Sequence, residues 1–359
     1  MIRRLLTLNG LASVAVAFHH AAAYGFLALF NWANAYRDVA VPNYDMIGSP
    51  AYYYLLGVRL LIGSYAIPAF LIVSGFYVAF AADGNGRMAW KAIWTRSKKF
   101  VAPFIIWTLF FFAMQRALPR SLNDVLRAYY YIPLIIQLYL LSPWLGPLAK
   151  KHWRLFLLVT FLIQFASEGA SYLRLLGVST AWVNLIIAFT PTWFFPSRLF
   201  FFAIGLVVGF QRKPFGDWLK KQKYMLLGAL ILFAALSFVE YLWVDNHIGE
   251  RWLGPSFIGI FRTAYAILFC FVVLAFDKVK LPFEKKLGEF GTISLGIYLV
   301  NTPAIYLTSS LIYKQAPAVL GRQILYQPIL TAAGLFVPFL LIKLFNTPRL
   351  KRYSSLLFG

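Results

Sequence analysis

The sequence predicts an all-α integral membrane protein, a single bundle of about ten transmembrane helices with both termini in the cytoplasm. Hydrophobic residues make up 61% of the 359 residues and charged residues only 13%, whereas about a quarter of the residues of a soluble domain are charged. The mean hydropathy is +0.70. Basic residues cluster in short segments between long apolar runs. Together these observations exclude a soluble globular domain.

Each long apolar run matches, within a few residues, the ~20 residues that a helix needs to cross about 30 Å of hydrocarbon. The stretch 171–197 is also apolar, but Pro191 and Pro196 break it, so we predict a re-entrant or surface segment there. We predict one transmembrane domain over 1–359 without an appended soluble domain, because no linker interrupts the pattern. The runs predicted to span are 5–30, 55–82, 100–116, 128–148, 155–170, 198–211, 224–243, 256–276, 288–309 and 324–345.

The orientation follows from the distribution of Lys and Arg. Most of the 34 basic residues fall in segments on the side of the predicted bundle that carries both termini, and the positive-inside rule places that side in the cytoplasm. The net charge of +22 is then explained by orientation and by contact with anionic lipid headgroups. We predict no nucleic-acid partner, because such a partner requires one continuous basic face.

The N-terminal run has an alternative interpretation as a secretory signal peptide cleaved near the alanines at 21–23. Against it, Asn9, Ser13 and two histidines interrupt the apolar core of that run, and its apolar character continues to Phe30. The length favours a helix that stays in the membrane.

Two adjacent histidines, His19 and His20, lie inside this first predicted helix, where an ionisable side chain is costly and indicates function. At 3.6 residues per turn, His20 shares a helix face with Asn9 about three turns earlier, whereas His19 points about 100° away. The other register pairs His19 with Arg4. Spacing alone leaves open which histidine faces a site.

The segment LNGLASVAVAFHHA (8–21) resembles the first helix of the acyltransferase family three membrane proteins, in which an arginine and a histidine are separated by ten residues. His20 lies at the histidine position and Asn9 at the arginine position. In ISLGIYLVNTP (293–303), Asn301 replaces a histidine of the family pattern. Three further segments resemble family elements in the same order: AIPAFLIVSGFYVAF (66–80), WTRSKKFVAPF (94–104) and IQLYLLSPWLGPL (136–148).

The resemblance implies an O-acyltransferase of the plasma (inner) membrane. Such an enzyme transfers an acyl group, usually acetyl, from a cytoplasmic acyl-CoA to a hydroxyl of an envelope glycan or lipid-linked sugar. A neutral imidazole can take the proton of that hydroxyl, so His20 is the expected general base. His19 and Asn9 are the other catalytic candidates.

The expected donor-binding residues follow the second predicted helix. Arg96 and Lys99 occupy the positions of two family arginines and lie three residues apart, on one face of a helical turn. Lys98 and Lys91 add positive charge for the phosphates of acyl-CoA. Alternatively, the lysines belong to an ordinary basic loop, whose charge sets the orientation of the protein in the membrane and binds no donor.

The expected acceptor-binding residues are Arg59, Ser74 and Asn301. Arg59 enters the second helix from the outer side and could orient an anionic acceptor, although it could equally pair with a carboxylate or extend to the interface. We predict no metal cofactor, because the remaining histidines, His152 and His247, fall on opposite sides of the membrane.

Two other functional classes stay open. A transporter or flippase for a lipid-linked glycan would also use intramembrane charges, but it gives His20 no special task. A catalytically inert homologue is favoured by the departures at Asn9 and Asn301.

Overall fold

The structure is a computed structural model that describes residues 2–248 and 259–359, and within these residues it contains helices and no strand. A helix satisfies its backbone hydrogen bonds internally, as hydrocarbon surroundings demand. The helices of the first half are α1 (Ile2–Phe30), α2 (Pro50–Gly57), α3 (Ala66–Ala81), α4 (Trp90–Gln115), α5 (Leu122–Ala128), α6 (Tyr131–Lys151), α7 (Trp153–Leu175) and α8 (Ala181–Phe189).

The described residues of the second half contain eight further helices. The 3-10 turn before the first of them covers Phe195–Arg198. The helices are α9 (Leu199–Phe210), α10 (Arg212–Lys221), α11 (Lys223–Ile248), α12 (Ile260–Ala275), α13 (Glu284–Thr292), α14 (Ser294–Gln315), α15 (Gln323–Phe345) and α16 (Lys351–Phe358).

Eight helical segments within the described residues are long and apolar enough to cross a membrane, which confirms a multi-pass all-α membrane protein. One of them, Pro50–Ala81, joins α2 and α3 through irregular turns. The predicted span 198–211 corresponds to α9, whose segment Phe195–Phe210 passes the same test together with Arg212–Lys221 across a bend of 102°. The predicted span 256–276 corresponds to the shorter apolar helix α12, and 256–258 lie outside the described residues. Within 171–197, α8 has nine residues, about 14 Å of helix, which is too short to span.

The two ends of the chain pack together at one face of the bundle, which we call the termini face. Near the start of α1, the side-chain amide of Asn9 donates to the Ser294 hydroxyl at 2.9 Å. Gly296, two residues further along α14, packs against Phe358 of α16. Because α1 starts at this face, its second half points toward the other side of the bundle, which we call the opposite face.

Helices α3 and α9 pack backbone against backbone. Gly75 and Gly205 face each other at this crossing, and a Cβ added to Gly205 would overlap the carbonyl oxygen of Ile72. Small residues allow such close approach between membrane helices, where van der Waals packing drives association. Ser74-Gly75 therefore includes a packing position.

Replacing Gly205 with alanine should lower the free energy of unfolding by roughly 1–3 kcal/mol, because the added methyl group meets backbone atoms of α3 that cannot turn aside. Thermal unfolding of the purified protein in detergent measures the change. Gly228→Ala on α11 is the matched control, since no described atom lies within 4 Å of its added methyl group. Equal melting temperatures for the two variants would contradict this packing.

Candidate active site

A cavity of about 450 Å³ lies in the half of the bundle toward the opposite face. Its lining comes from the second half of α1, the start of α3 with the turn before it, the end of α5 with the residues that follow, α7, the residues before α9, the start of α12, and α14. Its size falls within the range of small-molecule sites. Polar side chains from these separate elements converge on it, which makes it the candidate active site.

Both histidines of α1 line this cavity. Their rings contact edge to face, with centroids 5.6 Å apart. Neighbouring helix residues differ in direction by about 100°, but the cavity is wide enough to receive both. The sequence leaves open whether His19 or His20 faces a site, and the structure brings both to the same one.

Arg59 is placed beside His19 by an irregular turn in the second span. Ser49 caps α2 by accepting the N–H of Tyr52 at 3.2 Å, but over Val58–Ile62 the helix widens into a π turn. Such turns redirect side chains and are frequent at functional sites. Arg59 is only 6% exposed, and its Nη2 lies 3.4 Å from Nε2 of His19.

The contact with Arg59 defines the protonation of His19. A guanidinium group has only N–H donors, so Nε2 of His19 is the acceptor and the neutral ring carries its proton on Nδ1. That Nδ1 is buried and has no hydrogen-bond partner among the described residues. Gly63 lies against the same side of the ring, where a Cβ would overlap Nδ1. His19 is therefore held between Arg59 and Gly63.

A carboxylate on α7 organises the other wall of the cavity. Arg198 donates from Nη1 to Oε1 of Glu168 at 2.7 Å, and the Thr263 hydroxyl donates to Oε2 at 3.0 Å. The Gln164 amide also donates to Oε1 at 3.0 Å. These donors satisfy a carboxylate that would otherwise be costly to bury. The sequence signal for this group is an acidic residue inside the predicted span 155–170, whereas nothing local to Arg198 identifies its partner.

The start of α12 is fixed by Glu240 of α11. Its two carboxylate oxygens accept the backbone N–H groups of Ile260 at 2.8 Å and Phe261 at 3.1 Å. These groups belong to the first turn of a helix and have no partner within it. The bonds place Arg262, the next residue, in the cavity lining.

Arginines outnumber carboxylates around the cavity. Arg127, Arg198 and Arg262 line it, whereas Glu168 is the one acidic residue among its described lining residues and is already bonded to Arg198. A cavity with walls of low dielectric and surplus positive charge attracts anions.

Asn9 and Asn301 are not among the described residues that line the cavity. The Asn9 amide donates to the Gly291 carbonyl and to the Ser294 hydroxyl, each at 2.9 Å. The buried Asn301 amide donates to two carbonyl oxygens one turn earlier in α14, at 2.9 and 2.7 Å. The Asn9 side chain thus forms hydrogen bonds between helices, and the Asn301 side chain forms them within its own helix.

Ser74 belongs to a row of polar side chains that starts at the cavity. Its Oγ lies 3.4 Å from the Tyr131 hydroxyl, and the Tyr131 N–H donates to the hydroxyl of cavity-lining Tyr298 at 3.4 Å. Tyr139, further along α6, packs against Phe100 of α4, with ring centroids 6.1 Å apart. The row therefore extends from the cavity toward the first half of α4.

The predicted donor-binding residues lie on the first turns of α4. Lys91, Lys98 and Lys99 are exposed, whereas Arg96 is half-buried. They are not among the described lining residues of the cavity. The C-terminal residue Gly359 packs against the backbone of Lys99, so this cluster lies at the termini face.

Within residues 2–248 and 259–359, no group of three or more His, Cys, Asp or Glu side chains is placed to hold a metal ion. A family model described as an acyltransferase domain matches residues 7–343, almost the whole chain. The chain belongs to acyltransferase family three. No curated protein and no solved structure matches this acyltransferase. The family match and the eight apolar helices together make it a multi-pass membrane acyltransferase.

Gly63→Ala should displace the His19 imidazole of this acyltransferase, because the added methyl group overlaps Nδ1 and the ring must turn. We expect the turn to expose a buried nitrogen and to speed modification of His19 by diethyl pyrocarbonate, measured by peptide mass spectrometry. Gly57→Ala is the control, since the nearest atom to its methyl group, on Phe238, is 3.6 Å away. An unchanged His19 rate in Gly63→Ala would contradict the contact.

Proposed function

We propose that the protein transfers an acyl group, in the simplest case acetyl, from a cytoplasmic acyl-CoA to a hydroxyl of an envelope glycan or a lipid-linked sugar, in the plasma (inner) membrane. The observation that carries the proposal is the pair of histidines lining a polar cavity in a chain of this acyltransferase family. A hydroxyl becomes a competent nucleophile when a neighbouring base removes its proton during attack.

His20 is the better candidate for that base. The lone pair on Nε2 of His19 faces Arg59, whereas no described side chain is hydrogen-bonded to the His20 ring, so its nitrogens are available to a ligand. His20 accepts the hydroxyl proton as the acceptor oxygen attacks the thioester carbonyl carbon. The C–S bond then breaks, the CoA thiolate leaves, and the proton passes from His20 to the thiolate, which regenerates the base.

Arg59 and His19 have a supporting role in this scheme. Negative charge develops on the thioester oxygen during attack, and a preorganised positive group in a low-dielectric site stabilises that charge. The guanidinium of Arg59 is such a group beside the cavity, and its contact with His19 helps to fix its direction.

The donor is proposed to enter from the termini face, which the positive-inside rule assigns to the cytoplasm. His20 lies about 25 Å along α1 from Arg3 at 1.5 Å per residue, so the acyl end of the donor must extend into the bundle. The polar row from Tyr298 through Ser74, together with the contact of Tyr139 with α4, supports such a route. Arg96, Lys99, Lys98 and Lys91 would hold the phosphates at its entrance.

A transporter or flippase for a lipid-linked glycan is the second candidate, favoured by the arginine-lined cavity within the bundle. It requires neither a base nor a CoA site. An inert homologue, in which Asn9 and Asn301 mark lost functional groups, would lack transfer altogether.

His20→Ala should reduce acyl transfer by about 10²–10⁴-fold, the typical contribution of a general base. Purified protein in lipid, radiolabelled acetyl-CoA and total envelope glycan provide the assay. His19→Ala should lose less, because it removes a supporting group. His152→Ala, between α6 and α7, is the control.

Full activity of His20→Ala would refute its role as base. If the wild type transfers no acetyl group, binding of CoA to the intact protein becomes the deciding measurement, since acetyl could be the wrong acyl group. Absence of both transfer and CoA binding would reject the enzyme, and a transport assay would then separate the transporter from the inert homologue.

Arg96→Gln should raise the KM for acyl-CoA about tenfold with little change in kcat, because a hydrogen bond to a charged group contributes ~1.5 kcal/mol or more. Arg96→Lys should recover part of the loss through its charge. Lys213→Gln, an exposed residue of α10 on the same face, is the control. A fall in kcat with unchanged KM would instead place Arg96 among the groups that support the chemical step.

A further inference from the structure

A second hollow lies on the outside of the bundle, between the second half of α4 and the residues up to α5. Its volume is about 460 Å³, and its lining is almost entirely apolar, with Phe104, Leu109, Phe112 and Val125 among the contributors. Leu109 is 65% exposed, so this apolar groove faces the lipid surroundings rather than the protein interior.

The groove has a basic end. Arg116 lines it and ends α4 in the left-handed conformation, with φ of 52°, which L-residues other than Asn and Asp rarely adopt. Arg116 is exposed and forms no ion pair with any described residue. A cation at the end of a hydrocarbon-lined groove suits an amphiphile with a negative headgroup.

Helix α5 connects this groove to the active-site cavity. Val125 lines the groove, while Arg127 and Ala128 line the cavity. The helix is well anchored: Ser121 and Asp124 form a capping box at its start, and the Tyr129 hydroxyl after its end donates to the Leu299 carbonyl at 3.0 Å. The two hollows are therefore neighbours separated by one short, fixed helix.

We infer that the groove and the cavity bind a single molecule, a lipid whose phosphate-bearing headgroup enters the cavity while its hydrocarbon chain lies in the groove. This inference rests on the proposed function, because the headgroup supplies the hydroxyl that is acylated. It narrows the acceptor to a lipid-linked, anionic one. The phosphate lies near Arg116 and Arg127, and the hydroxyl-bearing part of the headgroup points toward His20.

Charge complementarity supports this assignment. The phosphate would meet Arg127, which is exposed and makes no ion pair with a described residue. Glu168, the one acidic residue among the described lining residues of the cavity, is occupied by Arg198 and Thr263. Asp124 of α5 accepts the backbone N–H groups of Arg120 and Ser121. A neutral lipid would offer Arg127 no opposite charge, whereas a phosphate or diphosphate binds it through charge-assisted hydrogen bonds.

The test is photolabelling of the full chain in phosphatidylcholine nanodiscs, without an acyl donor. The probe is a polyprenyl phosphate with a diazirine in its isoprenoid chain, and cross-linked peptides are mapped by mass spectrometry. We expect labelling of α4 between Phe104 and Ala113 and of Val125. Unlabelled polyprenyl phosphate should compete, whereas polyprenol, inorganic phosphate and phosphatidylglycerol should not.

Two variants examine the headgroup and chain contacts separately. Arg127→Gln should reduce labelling about tenfold, the effect of losing a charge-assisted hydrogen bond. Arg120→Gln, at an exposed arginine just before α5 that lines neither hollow, should not. Leu109→Trp should block the groove. Leu158→Trp is its control on the exposed surface of α7. All four positions are exposed, so the variants should fold.

Competition by phosphatidylglycerol, or equal labelling of wild type and Arg127→Gln, would show that the groove holds bulk lipid only and would overturn the inference. Acyl transfer to a water-soluble glycan with no photolabelling at the groove would do the same while leaving the proposed function intact. Specific photolabelling without acyl transfer would have the opposite meaning, since the lipid site would stand and the enzymatic proposal would fail.

Discussion

Hydrogen bonds between α1 and the segment around α13 fix the position of α1. The geometry of the candidate active site depends on that position. The buried Arg4 donates to the carbonyl oxygens of Phe276, at 2.8 Å, and Val279, and Asn9 bonds to Gly291. In apolar surroundings such groups are satisfied only by other protein groups. A shift of α1 by one residue would move it 1.5 Å and rotate it by 100°, which would break these bonds and turn His20 to another direction.

The second span fits around His19 at the position that α1 gives it. His19 occupies the space beside Gly63, and the π turn over Val58–Ile62 brings Arg59 to the other side of its ring. A regular helix would leave Arg59 at a different angle, because the π turn shifts the residues on either side relative to each other. The position of α1 and the irregular turn of the second span therefore together determine the surroundings of the His19 imidazole.

Much of the fold follows from the sequence, because the length of an apolar run and its lack of charge are local properties. The thickness of the hydrocarbon core sets the length of helix that such a run must form. The family also follows, since several short elements keep their order from LNGLASVAVAFHHA to ISLGIYLVNTP. The boundaries of α9 agree with the prediction within one residue, whereas α4 begins at Trp90, ahead of the predicted span 100–116, because its first turns are basic rather than apolar. The site depends more on contacts distant in sequence, and periodicity does not encode them.

Particular residues show where the local pattern stops. Asn9 and His20 lie on the same face of α1. Asn9 contacts α13 and α14 near the termini face, whereas His20 lines the cavity about three turns away. The pairing of Glu168 with Arg198 joins residues 30 positions apart. The position of Arg127 in the cavity lining depends on how α5 is placed between two hollows. Only the assembled bundle reveals these relations.

The helical segment that ends at the bend between α9 and α10 extends from the cavity to the termini face. The helical segment Phe195–Phe210 turns by 102° into Arg212–Lys221, so the basic helix α10 runs crosswise at the termini face. Arg198, at the other end of the same segment, lines the cavity. Because α9 packs backbone against backbone on α3, its 12 residues, about 18 Å at 1.5 Å per residue, hold the basic helix and the guanidinium of Arg198 at a fixed separation.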